Sequence, residues 1–204
     1  SDVEWVWFMG DDDKLSEKDS LQKVSECLKE NNINDLEFVC VCEKRRSRNT
    51  SKVFIDKVFN LCNKFGYHEM LGWISGIILK KQTFQKVFED FAKSVNTQYQ
   101  NFDDTITSAY PHSASILKFT HDKQGLFYDS GLVETQDNLQ TIETQKRWVE
   151  ENMLWRYFHV IDDIENLINQ KILKPNSLNL SFFRYHTYYL WDHLIFLTFK
   201  RLPK

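Results

Sequence analysis

The run Val3-Glu4-Trp5-Val6-Trp7-Phe8-Met9-Gly10-Asp11-Asp12-Asp13 sets an apolar stretch directly against a glycine and three consecutive carboxylates. Successive strand side chains point to opposite faces, so a run that is apolar on both faces except at Glu4 reads as a buried interior strand. Gly10 ends it, and a buried strand needs neighbours on both edges. The first expectation is therefore a sheet of the α/β class. In such a sheet the carboxyl end of a buried strand opens into the ligand crevice, so Asp11 and Asp13 would project there with Asp12 between them.

Working outward, Ser16 and Asp19 resemble a capping box opening a helix on Leu21, Val24 and Leu28. Residues 36–42 (LEFVCVC) read as a second strand and residues 43–49 (EKRRSRN) as an exposed loop. Phe54, Val58, Leu61, Cys62 and Phe65 fall at helical spacing, with Gly66 suited to the C-terminal cap. Residues 70–79 (MLGWISGIIL) form a third apolar run, strand-like near its end, where Gly72 and Gly76 allow close backbone approach. A helix from Thr83 would bury Phe84, Val87, Phe88 and Phe91. After a polar loop over 98–107 comes a short helical segment over 112–117. Two short strands follow, near 126–128 and 132–133, separated by the turn-like Asp129-Ser130-Gly131. From about Thr144 an apolar stripe at helical spacing runs through Val149, Met153, Tyr157, Val160, Ile161, Ile164 and Ile168 as far as Pro175. Residues 181–199 predict a last helix. Strands alternating with helices early, and helices alone late, predict an α/β unit over 1–143 followed by a helical extension over 144–204.

Composition narrows the function classes. With 204 residues, 42% hydrophobic and 15% aromatic, the chain can bury one sizeable core. A net charge of −3 and a pI of 6.1 provide no overall basic field. A general nucleic-acid binder is not expected, and any phosphate contact must be local. Cys27, Cys40, Cys42 and Cys62 lack paired zinc-knuckle spacing and read as reduced, buried thiols of a cytoplasmic protein. The most apolar stretch, 180–199, is interrupted by Arg184, His186, Asp192 and His193, so it does not read as a membrane span.

A divalent cation that also holds a diphosphate wants hard oxygen ligands on a rigid base, with coordination positions left for phosphate oxygens and water. A strand end followed by a tight turn offers that base. The alternative is that the aspartates stabilise the turn and the following helix N-terminus without a metal.

The segment from Glu4 to Asp13, with its Gly10-Asp11-Asp12-Asp13 ending, resembles the DxD segment of family 2 glycosyltransferases of the GT-A fold, in particular bacterial enzymes of surface-polysaccharide synthesis. Gly72-Trp73-Ile74-Ser75-Gly76-Ile77-Ile78-Leu79 is similar to the segment beside the acceptor pocket in those enzymes. The resemblance covers about the first two-thirds of the chain and implies the C-terminal part of a GT-A-like mixed sheet flanked by helices. It implies Mn²⁺ or Mg²⁺ held by Asp13 and Asp11, with Asp11 and Asp12 on the side of the nucleotide-sugar donor. It also implies transfer of a sugar, with inversion, to a surface-glycan or lipid-linked acceptor. Asp104, or its neighbour Asp103, is the nearest counterpart of the family's catalytic base, and Trp73 and Ser75 would line the acceptor pocket. The family's nucleotide-binding half has no counterpart before Val3, so a separate or preceding N-terminal half is an expected partner.

His112, after Tyr110-Pro111, could serve as a third metal ligand or an acceptor contact, and His121 is a second candidate. His186 and His193 are assigned to packing. The Lys44-Arg45-Arg46-Ser47-Arg48 loop could meet a lipid-linked diphosphate or an anionic membrane surface, giving a cytoplasmic protein with peripheral contact at the inner membrane. Two other readings stand beside the enzyme. One is a non-catalytic glycan-binding or assembly lobe of the same fold. The other is a metal-dependent phosphoryl-transfer enzyme, which would need a second dense acidic motif that the sequence lacks.

Overall fold

Every sheet hydrogen bond to the strand Leu36–Glu43 comes from a neighbour on one of its two edges, and this strand organises the rest. In the computed structural model, residues 4–11, 13–31, 33–48, 50–98, 111–135, 153–185, 187–188 and 191 are described. The elements in chain order are β1 (Trp5–Trp7), β2 (Asp13–Leu15), α1 (Ser20–Glu30), β3 (Leu36–Glu43), β4 (Lys52–Lys57) and α2 (Val58–Phe65). A π-helical turn, His68–Gly72, and a 3₁₀ turn, Ile74–Gly76, lead into β5 (Ile77–Lys80). Then come α3 (Lys81–Gln98), α4 (Pro111–Thr120), β6 (Gln124–Thr135) and α5 (Met153–Asn169), with short 3₁₀ turns at Pro175–Ser177 and Leu180–Phe183.

The strands form one mixed sheet in the order β1-β5-β3-β6-β2, and β4 also pairs with β6. β3 and β6 run parallel, and the other pairings are antiparallel. Val39 lies between Ile78 of β5 and Leu126 of β6. At Leu126 the opposite edge of β6 is taken by Ile55 of β4, and at Val133 by Leu15 of β2. Thus β4 and β2 follow one another along the same edge of β6.

Alternation along β3 separates two apolar layers. Phe38 and Cys40 face α2, α4 and α5, meeting Val58, Leu61, Cys62, Ile116, Leu117, Val160 and Ile164 in one cluster. Val39 and Val41 face α1 and meet Val24, Cys27 and Leu28 in the other. Helices therefore cover both faces of a mixed sheet, which makes the chain an α/β protein, and α5 packs in the same core as the sheet.

Several local expectations are corrected. The opening run is an edge strand of the described sheet, with all three β1 residues half-buried and Met9 exposed. Apolar residues on both faces do not require burial on both edges. Here Phe8 packs on Phe84 with ring centroids 5.4 Å apart, and the Trp7 indole finds a hydrogen-bond acceptor. Phe54 belongs to strand β4, and the helix that was expected to include it begins at Val58. The two short strands expected near 126 and 132 are one strand, β6, because its N-terminal half continues parallel to β3 instead of turning back. Ser16 does not cap α1. Its hydroxyl donates to the Gly131 carbonyl at 2.7 Å, and the cap residue is Asp19. Phe88 is 56% exposed on α3, whereas Val87 is buried as expected.

Two glycine expectations hold. Gly66 follows α2 at φ +108°, and its N–H donates to the Cys62 carbonyl at 2.8 Å. A Cβ on Gly76 would stand 2.7 Å from the Val41 carbonyl oxygen, so the turn before β5 can approach β3 only without a side chain.

Phe38 is fully buried at the centre of the larger cluster, and Leu21 on α1 is 61% exposed. Phe38→Ala is expected to lower unfolding stability by about 3–5 kcal/mol. Leu21→Ala should change it by no more than about 0.5 kcal/mol. Urea denaturation of both variants measures the contrast.

Candidate functional site

The acidic turn and the run that enters β5 meet at one hydroxyl. β1 passes beside β5, where the Phe8 N–H donates to the Ile77 carbonyl at 3.0 Å and the Trp7 Nε1 donates to the Ser75 carbonyl at 2.9 Å. The Gly10 N–H then donates to Ser75 Oγ at 2.7 Å, and Ser75 Oγ donates in turn to Asp13 Oδ2. The Asp13 N–H closes the turn onto the Gly10 carbonyl at 3.3 Å. Ser75 is fully buried, so its hydroxyl accepts from one end of the turn and donates to the other. This fixes Asp13 at the start of β2, opposite Thr135 of β6. Thr135 Oγ1 donates to Glu43 Oε1 at 3.1 Å, carrying the network to the end of β3.

Of the residues expected to serve the site, Asp13 is half-buried and Asp11 is exposed. Asp12, Asp103 and Asp104 lie outside the described residues, as do His186 and His193. His112 stands on the first turn of α4, with Nε2 3.0 Å from the Leu71 carbonyl, which also accepts from the Ser113 hydroxyl at 2.6 Å. Burial pushes the His112 imidazole down to about 4, so it is neutral at physiological pH. It supports the segment leading to Trp73 and Ser75 from behind. His121 Nδ1 lies 3.3 Å from the Lys118 carbonyl at the end of α4.

Trp73 leads to a second feature. Its side chain helps line a cleft of about 540 Å³ at the carboxyl end of β3, beside β4 and the loop between them. Glu43 also lines this cleft, so the network from Asp13 through Thr135 ends on its wall. The aromatic side is Phe54, Phe65 and Phe127. Phe65 stacks on Phe127 at 4.4 Å, and Phe54 meets Phe65 edge-on at 5.0 Å. The cationic side draws Arg46 and Arg48 from the basic loop, Lys52 from β4, Lys64 from α2 and Arg184 from the C-terminal region. Of the remaining basic-loop residues, Lys44 pairs with Glu134 at 2.8 Å.

Asp129 of β6 braces the loop by accepting from the Ser47 hydroxyl at 2.7 Å, the Arg48 N–H at 3.0 Å and the Thr50 hydroxyl at 3.0 Å. Burial works against its ionisation, but these hydrogen bonds outweigh it and hold the carboxyl below its usual value. Glu69, on the π-helical turn, has the opposite balance. Burial raises its carboxyl above the ordinary value against the pull of Arg184 and Arg46. Among the described residues, no hydrogen bond reaches its Oε2. A Cβ on Gly66 would sit 2.0 Å from that oxygen, so the glycine that caps α2 also makes room for Glu69.

The cysteines stay thiols. Burial pushes Cys27 up to about 11 and Cys42 to about 12, and raises Cys40 and Cys62 as well. All four are free.

Among the described residues, no group of three or more histidine, cysteine, aspartate or glutamate side chains could hold a metal. Asp11 and Asp13 supply two hard oxygen donors on one turn, which suits Mg²⁺ or Mn²⁺. Such ions take one or two carboxylates from a protein and the rest from phosphates and water. Also among the described residues, no helix is long and apolar enough to cross a membrane. Comparison with known proteins finds no matching family model, no matching curated protein and no matching solved structure.

Two outcomes test this description. Ser75→Ala removes the bridge and leaves the Gly10 N–H without its acceptor, at an expected cost of about 1–3 kcal/mol. Amide exchange at Gly10 should accelerate accordingly. Because its carboxyl is raised in the fold, Glu69 binds its proton more tightly in the folded than in the unfolded chain. Its contribution to stability is therefore lost as pH rises from the ordinary 4.5 through the folded value. Glu69→Gln should raise Tm at pH 7 and leave it nearly unchanged at pH 4.

Proposed function

We propose that this chain is the metal-binding and acceptor-side portion of a glycosyltransferase that moves a sugar from a nucleotide-diphosphate donor to a surface-glycan or lipid-linked acceptor. The observation that carries the reading is the Ser75 bridge. Two segments singled out separately in the sequence, the acidic turn and the run through Trp73 and Ser75, are joined through Gly10, Ser75 and Asp13. The mixed α/β sheet, with its acidic turn at the end of a strand, agrees with it.

In this reading Asp13 and Asp11 hold Mn²⁺ or Mg²⁺, and Asp12 contributes on the donor side. When bound, the ion supplies electrostatic neutralisation of the leaving diphosphate. Ser75 keeps the Asp13 carboxylate oriented, so the ligand is preorganised. Asp104, with Asp103 beside it, is proposed to take the proton from the acceptor hydroxyl as the sugar carbon is attacked, which gives inversion. Trp73 offers an indole wall to the acceptor ring. His112 positions the Trp73 segment through Leu71, a role that suits its buried neutral ring. The reading includes a nucleotide-binding half as partner. It sets the protein in the cytoplasm, with peripheral contact at the inner membrane.

The test is metal-dependent turnover. With Mn²⁺ and UDP-type nucleotide sugars, sugar transfer should require the metal, and Asp13→Asn should reduce it by at least about a hundredfold. Unaltered turnover in the variant would overturn the assignment. Glycan binding without metal-dependent nucleotide binding would instead establish a non-catalytic lobe.

A further inference from the structure

The cleft beside Trp73 carries more positive charge than its own acids use. Five cationic side chains line it against three carboxylates, Glu43, Glu69 and Asp129. Arg46 meets Glu43 at 3.1 Å, and Arg184 meets Glu69 at 3.5 Å. Arg184 also donates to the Phe65 carbonyl, and the Arg46 guanidinium lies over the Tyr185 ring at 5.5 Å. Both arginines are thus held in place as wall. Asp129 accepts from two hydroxyls and a backbone N–H, and the Arg48 charge helps to stabilise it without forming an ion pair. Among the described residues, no ion pair engages Arg48, Lys52 or Lys64. The Lys64 ammonium is held over the Phe54 and Phe65 rings, at 4.4 and 5.3 Å, where its N–H groups are not consumed by a carboxylate.

Three kinds of recognition therefore converge in one concave space. The cations outside any ion pair suit a phosphate ester, since charge-assisted hydrogen bonds to phosphate are among the stronger polar contacts a protein makes. The half-buried Trp73 indole suits the apolar face of a sugar ring. Glu69 lines the wall with its side chain partly exposed, and its carboxylate, met by Arg184 only at 3.5 Å, suits a sugar hydroxyl. An anionic membrane surface fits less well, because three carboxylates stand among the cations and the aromatic wall is recessed.

We propose that this cleft binds a sugar phosphate, with the phosphate on Arg48, Lys52 and Lys64, the ring against Trp73, and a ring hydroxyl on Glu69. The proposal deepens the sugar-transfer reading and rests on it in one respect only, the assignment of the bound sugar phosphate to the acceptor side. The cation excess and the Glu69 oxygen stand independently of any donor chemistry.

The experiment is calorimetric titration of the whole chain, without divalent metal, with glucose 1-phosphate, glucose, inorganic phosphate and phosphatidylglycerol vesicles. Glucose 1-phosphate should bind at least about tenfold more tightly than glucose or inorganic phosphate, the gain expected from joining two modest contacts. The double substitution Arg48→Gln with Lys52→Gln should weaken glucose 1-phosphate by about tenfold or more. The Arg48 N–H that braces Asp129 belongs to the backbone, so the loop keeps that hydrogen bond. Glu69→Gln should weaken glucose 1-phosphate and leave inorganic phosphate unchanged. Absence of binding at millimolar glucose 1-phosphate would overturn the proposal, as would equal affinity for inorganic phosphate, unaltered binding by the double variant, or binding to vesicles alone. Asp13→Asn should retain this metal-free binding. A loss of donor chemistry and a loss of the cleft are thereby separable.

Discussion

Burial of β3 on both faces and pairing along both edges is the constraint on which the rest of the molecule depends. Phe38 and Val41 are wholly removed from solvent on opposite faces, so neither face can be stripped of its helices without exposing apolar surface. The partner on one edge, β5, brings the Ser75 turn with it, and the partner on the other, β6, brings Asp129 and Thr135. The carboxyl end of β3 then becomes the place where three chain segments must end or turn together. Both the acidic turn and the cleft are built on those ends.

Electrostatically the two features are opposites. At the acidic turn, carboxylates are clustered and one is tied by a neutral hydroxyl, which orients Asp13 without cancelling its charge. In the cleft, the acids are largely used up in holding the walls, and a surplus of cations remains. The separation is short in network terms, from Asp13 across the β2–β6 pair to Thr135 and on to Glu43. A cation at one end and an anion at the other would each find complementary charge, without a net field over a chain whose charge is only −3.

What was legible from the residues, and what was not, follows from how local each signal is. The strand 36–43 announced itself through the apolar run Phe38–Cys42, and the tight approach at Gly76 through the absence of a side chain between a tryptophan and a β-branched pair. The α/β class followed from those. β2 was missed because three residues, Asp-Lys-Leu, carry no period. β4 was absorbed into the helix after it because Phe54, Val58, Leu61 and Phe65 satisfy helical spacing. Tertiary pairing with β6 decided the matter. The acidic turn was readable as a cluster, but its tie to Ser75 was not, since a hydrogen bond across so many residues leaves no spacing to read. The cleft was legible only in its basic loop. Lys64 and Arg184 come from separate elements, and Glu69 falls between the helix expected to end at Gly66 and the apolar run 70–79, where only burial sets it apart.

The irregularity in β6 has a mechanical meaning. From Val41 to Glu43 the chain takes two steps along β3, while the paired positions on β6 run from Tyr128 to Val133, five steps. Gly131, at φ +63°, lies within the excess. Before the excess, β6 holds Phe127 of the cleft wall, Asp129 stands at its start, and after it comes the stretch that anchors Asp13. Each strand residue advances about 3.3 Å, and a shift by one turns every later side chain to the opposite face. The surplus therefore acts as a length standard between the acidic corner and the basic recess. The reach from one to the other is written in how many residues β6 contains, more than in which ones they are.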